Sequence, residues 1–288
     1  MKNEIIYREA STLCTPSKLP ALDYVINPYI GCVHCCKYCY ASFMGRFTGH
    51  TEPWGTYLEP KRYASYKLPN KLDPSKTILI GSVTDAYNPQ ESRYMLMPKI
   101  LEALRECPAH VEILTKSSLV LRDLDLIKQI PDIAIGISLS NLEDADNKVF
   151  EPGASSAEER LRTLRELHEN KIRTYLFIAP YLPGITSLDT LYNATEGFVD
   201  YICVENLNLR GSYKQTMLDA IRLLHPDLKN LWDDIYIEKK QRHTGPLLKN
   251  KLRCYGADQV YPLYLICIMK RLRRCRSDIC HIHYPIFK

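Results

Sequence analysis

No stretch of this 288-residue sequence approaches the ~20 consecutive apolar residues that a bilayer-spanning helix needs, which excludes an integral helical membrane protein. The first residues, MKNEIIYREASTL, carry charge and no apolar segment, so no secretory signal is read there. The expectation is a cytoplasmic, reducing setting, in which cysteines serve as metal ligands or free thiols rather than disulfides. The odd count of 11 cysteines agrees with that. Internal repeats, low-complexity tracts and an obvious linker are also missing. A strong excess of one charge is absent too: the net charge is +5, and the basic residues gather late, in 238–253 and 270–276. Such runs are read either as solvated faces or as a phosphate-binding surface.

What the chain does have is a recurring unit, a short β-branched run followed by an amphipathic segment. TILIGS (77–82), HVEILTKS (110–117), DIAIGISLS (132–140), RTYLFIAP (173–180) and DYICVE (200–205) are each followed by such a segment. With DYVINPYI (23–30) in front there are six strand candidates, each apolar on both faces as a covered parallel sheet requires. The alternation predicts an α/β fold, either doubly wound or a partial barrel. In both, chemistry belongs at the C-terminal ends of the strands. Residues 1–22 read as an N-terminal extension and 23–225 as the α/β unit. Residues 226–288, where the pattern fails, read as a basic, cysteine-containing C-terminal extension.

Four cysteines fall within eight positions, in GCVHCCKYCYAS (31–42). Grouped as 32/35 and 36/39 they are two CxxC pairs that could bind zinc, but zinc knuckles are normally well separated so that two turns face each other. Grouped as C-x3-C-x2-C, Cys32, Cys36 and Cys39 suit an iron–sulfur cubane held at three corners, with one iron open to a small molecule. Cys35 is then a bystander.

Cys32-VHC-Cys36-Lys37-Tyr38-Cys39, just after the first strand, resembles the radical S-adenosylmethionine (radical SAM) enzymes. NPYIGCVHCCKYCYA (27–41), SVTDAYNPQE (82–91), ILTKS (113–117), GISLS (136–140), FEPGA (150–154) and IAPYLPGIT (178–186) look like the branch containing spore photoproduct lyase and its "DNA repair photolyase" relatives. The resemblance covers roughly 23–205. It implies a partial (β/α)6 TIM-type barrel, a four-iron four-sulfur cluster on Cys32, Cys36 and Cys39, and S-adenosylmethionine at the open iron. Reductive cleavage to a 5′-deoxyadenosyl radical would follow, in an oxygen-sensitive lyase or oxidoreductase served by a flavodoxin- or ferredoxin-type donor.

Residue by residue, the resemblance puts Tyr38 near the adenine, Ser82 at the methionine end, Lys116 on the cofactor carboxylate and Ser138 on the ribose hydroxyls. Thr84 and Asp85 either touch ligand or brace their loop. Glu151 and Arg160 either form a charge pair fixing the FEPGA loop to the following helix or contact substrate directly, and Pro180 and Pro183 shape the loop after the fifth strand. Tyr38 and Tyr40 match two tyrosines of the lyase's hydrogen-transfer path. Gly81 stands where the lyase has a hydrogen-donating cysteine, so thymine-dimer chemistry itself is not expected.

The substrate is not named by the sequence: the basic tail suits a nucleic acid or another phosphate-bearing molecule, a peptide is the main rival, and the expectation is a monomer away from any membrane. A non-catalytic iron–sulfur or zinc protein that binds nucleic acid is the other class considered. In the tail, Cys254, Cys267, Cys275, Cys280, His281 and His283 are either a second metal site or free thiols and imidazoles, their spacing matching no compact ferredoxin pattern.

Overall fold

The computed structural model describes residues 7–19, 22–211 and 213–238, and residues 265–269 as a strand. Six parallel strands form the centre: β1 (Tyr24–Ile26), β2 (Thr77–Ile80), β3 (His110–Thr115), β4 (Ile133–Ser138), β5 (Arg173–Tyr181) and β6 (Tyr201–Asn206). They pair in sequence order, each with the next, as successive β-α units fold. β4 is buried at every position, the mark of a strand covered on both faces. The fold is the expected α/β partial barrel, and it is open. A seventh strand, β7 (Leu265–Met269), runs antiparallel along β6, and Thr15–Pro16 runs antiparallel along β1.

Helices α1 (Leu96–Leu104), α2 (Asp144–Phe150), α3 (Ala157–Glu169), α4 (Leu188–Thr195) and α5 (Tyr213–Leu224) follow β2, β4, β5 and β6 in turn. α3 starts in a capping box: Ser156 Oγ accepts from Glu159 N while the Glu159 carboxylate accepts from Ser156 N. The outward face of the sheet, with Ile78, Ile80, Val111, Ile113, Ile135, Ile137, Leu176, Ile178, Ile202 and Val204, packs beneath these helices as the main core.

The inward face is aromatic. Tyr175 and Tyr201 stack with centroids 4.8 Å apart, beside Ala134, Cys203, Leu114 and Phe177. Gly136 makes room for this layer, since a Cβ there would lie 2.2 Å from Tyr175 Cζ. The lower barrel is therefore filled.

Three local expectations change. The run 23–30 is not one strand: it breaks at Asn27–Pro28, and Tyr29–Gly31 joins a second sheet with Leu58–Tyr63 and Arg8–Ala10. Pro28 lacks the N–H that a continuing ladder needs. The segment after β3 is a 3-10 stretch (Ser118–Asp123) plus one helical turn (Leu124–Ile127) rather than a full helix. Past residue 226, where no period is legible, a short 3-10 turn leads into α6 (Lys229–Tyr236), whose Trp232, Ile235 and Tyr236 are buried. Among the described residues no helix is long and apolar enough to cross a membrane.

Candidate functional site

The cysteine turn sits at the C-terminal mouth of the barrel, between Tyr29–Gly31 and a 3-10 stretch at Tyr40–Met44. Gly31 enters it at φ +82°, a conformation open to glycine, with the Tyr57 carbonyl where a Cβ would stand. Cys35 lies in the left-handed region at φ +53°. The turn is held from several directions. Thr84 Oγ1 donates to Gly31 O (2.6 Å), Lys37 N to Phe150 O (2.8 Å) and Gly153 N to His34 O (3.0 Å). Gly153 approaches so closely that a Cβ would lie 2.5 Å from Val33 O.

Cys32 is buried, and Cys35, Cys36 and Cys39 are half-buried; none forms a disulfide. Burial pushes the Cys32 thiol up to about 12 and raises Cys36 and Cys39, while the nearby Lys116 charge works against burial at the latter two. Thiols so placed need a metal's charge to ionise. Among the described residues no three His, Cys, Asp or Glu side chains converge tightly enough to hold one ion. A cubane distributes its thiolates over separate irons, so the three thiols need not meet at a point. The donor set therefore fits a cluster. Nε2 of His34, inside the turn, is buried with no partner among the described residues.

The strand ends bring the other candidates together. Lys116, just past β3, donates from Nζ to Ser138 Oγ at 2.6 Å, stands 3.6 Å from Glu151 Oε1, and lies 5.9 Å from the Tyr38 ring centroid. Burial lowers its pKa, and the Cys36 thiol is the strongest influence opposing that. Ser138 Oγ also donates to Ala179 O (3.3 Å). The Tyr38 hydroxyl donates to Glu151, whose other oxygen accepts from Arg160 (2.6 Å). Tyr40 donates to the Ser82 carbonyl, and Ser82 Oγ is held by Asn27 (2.9 Å).

Thr84 and Asp85 are occupied in bracing. Besides the Thr84 bond above, Asp85 accepts from Thr115 Oγ1 (2.7 Å), Tyr87 N (2.9 Å) and Lys116 N (2.8 Å), and it lies 3.3 Å from His34 Nδ1. Pro183 O accepts from Trp232 Nε1 (3.0 Å), linking the loop after β5 to α6. Through Phe150, Leu182, Met217 and Trp232 this unit covers Tyr38 and Cys36 from outside.

Sequence reasoning missed Asn27, His34 and Glu205. Only Glu205 had a signal: Tyr201, Cys203 and Glu205 alternate onto the inward face, which puts a carboxyl at the strand's C-terminal end. Of the tail candidates, Cys254, Cys275, Cys280, His281 and His283 lie outside the described residues, and Cys267 falls within β7.

Comparison with known proteins bears on the family and the fold. Residues 26–191 match the Radical SAM superfamily model. An uncharacterized protein of Methanocaldococcus jannaschii is 39% identical over 211 residues, 73% of this chain and 80% of its own length. The radical SAM Nalpha-GlyT isomerase of Pseudomonas phage M6 is 25% identical over 223 residues, 74% of this chain and 46% of its own. Among solved structures, spore photoproduct lyase complexed with dinucleoside spore photoproduct superposes with TM-score 0.53 at 18% identity, over 74% of this chain and 63% of the lyase. A lyase variant with bound AdoMet and dinucleoside spore photoproduct gives TM-score 0.52 at 16% identity, over 74% and 66%. The chain thus spans just under two thirds of the lyase, and that likeness is one of fold. With the matched superfamily model covering more than half its length, this chain belongs to the radical SAM superfamily.

Proposed function

We propose that the protein is a radical SAM enzyme in which Cys32, Cys36 and Cys39 hold a four-iron four-sulfur cluster and Tyr38, Ser82, Lys116 and Ser138 hold S-adenosylmethionine. The observation that carries this is the Lys116 ammonium, which is half-buried, bonded to Ser138 and close enough to Cys36 and Cys39 to act on both. When bound, the cluster and S-adenosylmethionine supply one-electron cleavage of the sulfonium to a 5′-deoxyadenosyl radical that removes a substrate hydrogen.

The chain's own residues bind and orient. Lys116 is a point charge for a carboxylate. Asn27 fixes the rotamer of Ser82, and Ser138 accepts from Lys116 while donating to Ala179 O. Glu151, held by Arg160, keeps the Tyr38 ring at the mouth. α5 and α6 exclude water from the back of the turn. Gly81 offers no side chain beside Ser82, so Tyr38 and Tyr40 are the hydroxyl-bearing groups for any hydrogen transfer. A nucleic acid substrate is favoured over a peptide by the lyase structures with dinucleoside spore photoproduct and by the basic run 238–253. A flavodoxin- or ferredoxin-type protein would supply the electron.

Anaerobic reconstitution with iron and sulfide, then reduction in the presence of S-adenosylmethionine, tests the reading. Wild type should release 5′-deoxyadenosine and Cys36→Ala should release none. A reduced cluster in the wild type without that product would overturn it.

A further inference from the structure

Lys116, Ser138 and Glu205 share the inward face at the barrel's rim. Lys116 and Ser138 satisfy each other. Glu205 does not join them: among the described residues its carboxyl has no hydrogen-bond or ion-pair partner, although it is half-buried. It stands where β5 and β6 fall out of step. Val204 pairs with Ile178 but Asn206 with Tyr181, so β5 sets two residues opposite one. Such irregularities bend a strand and re-aim a side chain, and they favour the neighbourhood of active sites.

Two positions below Glu205 on the same face is Cys203, paired with Phe177, a half-buried ring at the top of the aromatic layer. Glu205 is also felt by other groups at the rim. Its charge raises Tyr40, after burial, and Lys116 in turn acts on Glu205, whose carboxyl burial pushes up to about 7. A carboxyl partly withdrawn from water gains from an incoming donor. Among the described residues no donor reaches it, and an aromatic wall runs alongside.

We propose that Glu205 and the Phe177 ring form a substrate subsite for a planar group whose edge carries an N–H donor, an imide or an amide. This rests on the reading that S-adenosylmethionine takes the Lys116–Ser138 side. The carboxyl accepts the N–H, and the ring offers its face to the plane.

The test uses anaerobically reconstituted protein with saturating S-adenosylmethionine and three small probes, followed by saturation-transfer NMR. 1-Methyluracil keeps an N–H, 1,3-dimethyluracil has none, and N-methylacetamide presents an acyclic amide. The first or third should bind wild type roughly tenfold more tightly than Glu205→Leu, with Glu205→Gln between them. Preference for 1-methyluracil assigns a nucleobase edge, and preference for N-methylacetamide a peptide bond. Dimethyluracil should bind weakly and be indifferent to the substitution. Equal binding of the two uracils to wild type, a comparison that needs no variant, overturns the proposal, as does undiminished binding in Glu205→Leu. So does binding of none of the three. S-Adenosylmethionine affinity by equilibrium dialysis should be unchanged in both variants, and a parallel loss would assign Glu205 to the cofactor and overturn the subsite. Failure of the enzyme reading shows separately, as absent 5′-deoxyadenosine from wild type.

Discussion

Nη1 of Arg160 lies 2.6 Å from Glu151 Oε2 and 2.9 Å from the Ser138 carbonyl, so one wholly buried guanidinium ties the loop after α2 to the end of β4. Its Nε donates to Ser155 O at 2.8 Å as well. Removing it leaves the Glu151 carboxylate buried beside Tyr38 with only the more distant Lys116 as counter-charge. Arg160→Met should therefore cost about 3–5 kcal/mol in urea unfolding. Glu151→Gln added to it should recover a large part, because the stranded charge goes with it. A loss below about 1 kcal/mol for Arg160→Met would refute this account.

Lys116→Met should weaken S-adenosylmethionine binding about 10- to 100-fold, the range for a hydrogen bond to a charged group. Iron content should stay near wild type, since Lys116 supplies no ligand. Lys116→Arg should not restore affinity, because the planar fork is longer and cannot reproduce the 2.6 Å bond to Ser138. Equilibrium dialysis on reconstituted protein gives both answers.

Gly153→Ala should disturb the cysteine turn without dissolving the barrel. The added methyl would meet Val33 O at 2.5 Å and His34 Cα at 2.7 Å, both backbone, so the turn itself must shift. Iron retained after reconstitution should fall while far-UV circular dichroism is preserved. Cys35→Gly is the contrasting change. It places glycine at φ +53°, relieves a strained position and removes no proposed ligand, so the cluster absorbance should survive.

Much of this was legible in advance, for identifiable reasons. Parallel strands covered on both faces must be apolar throughout, so all six strand positions were visible as runs. The C-x3-C-x2-C spacing is local, and Lys116 and Ser138 declare themselves as polar residues closing apolar strands. What was not legible depends on register and on distant approach. That Asn27 holds Ser82 requires knowing that β1 lies beside β2. His34 meets Asp85 because the turn folds back over the next strand's loop. Glu205 gains its place from an irregularity between β5 and β6 that no single segment encodes. α6 escaped because eight residues with three buried positions scarcely establish a period.

Glu205 also gives a pH signature. Burial raises its carboxyl to about 7 from an ordinary 4.5, so the folded state holds a proton that the unfolded chain releases. Its contribution is favourable below the ordinary value and fades as pH climbs to about 7, above which the charged form is simply penalised. Glu205→Gln should accordingly be neutral at pH 4 and stabilising at pH 8 by about 1–3 kcal/mol. Thermal unfolding of the metal-free protein at the two pH values checks this, and an equal effect at both would count against it.

The strands at the two borders of the main sheet, β7 beside β6 and Thr15–Pro16 beside β1, run against their neighbours. Each uses up the hydrogen-bonding edge through which β6 and β1 would otherwise join, so the cylinder stays slit along its side. The opening therefore owes itself to two short border pairings rather than to any missing strand between them.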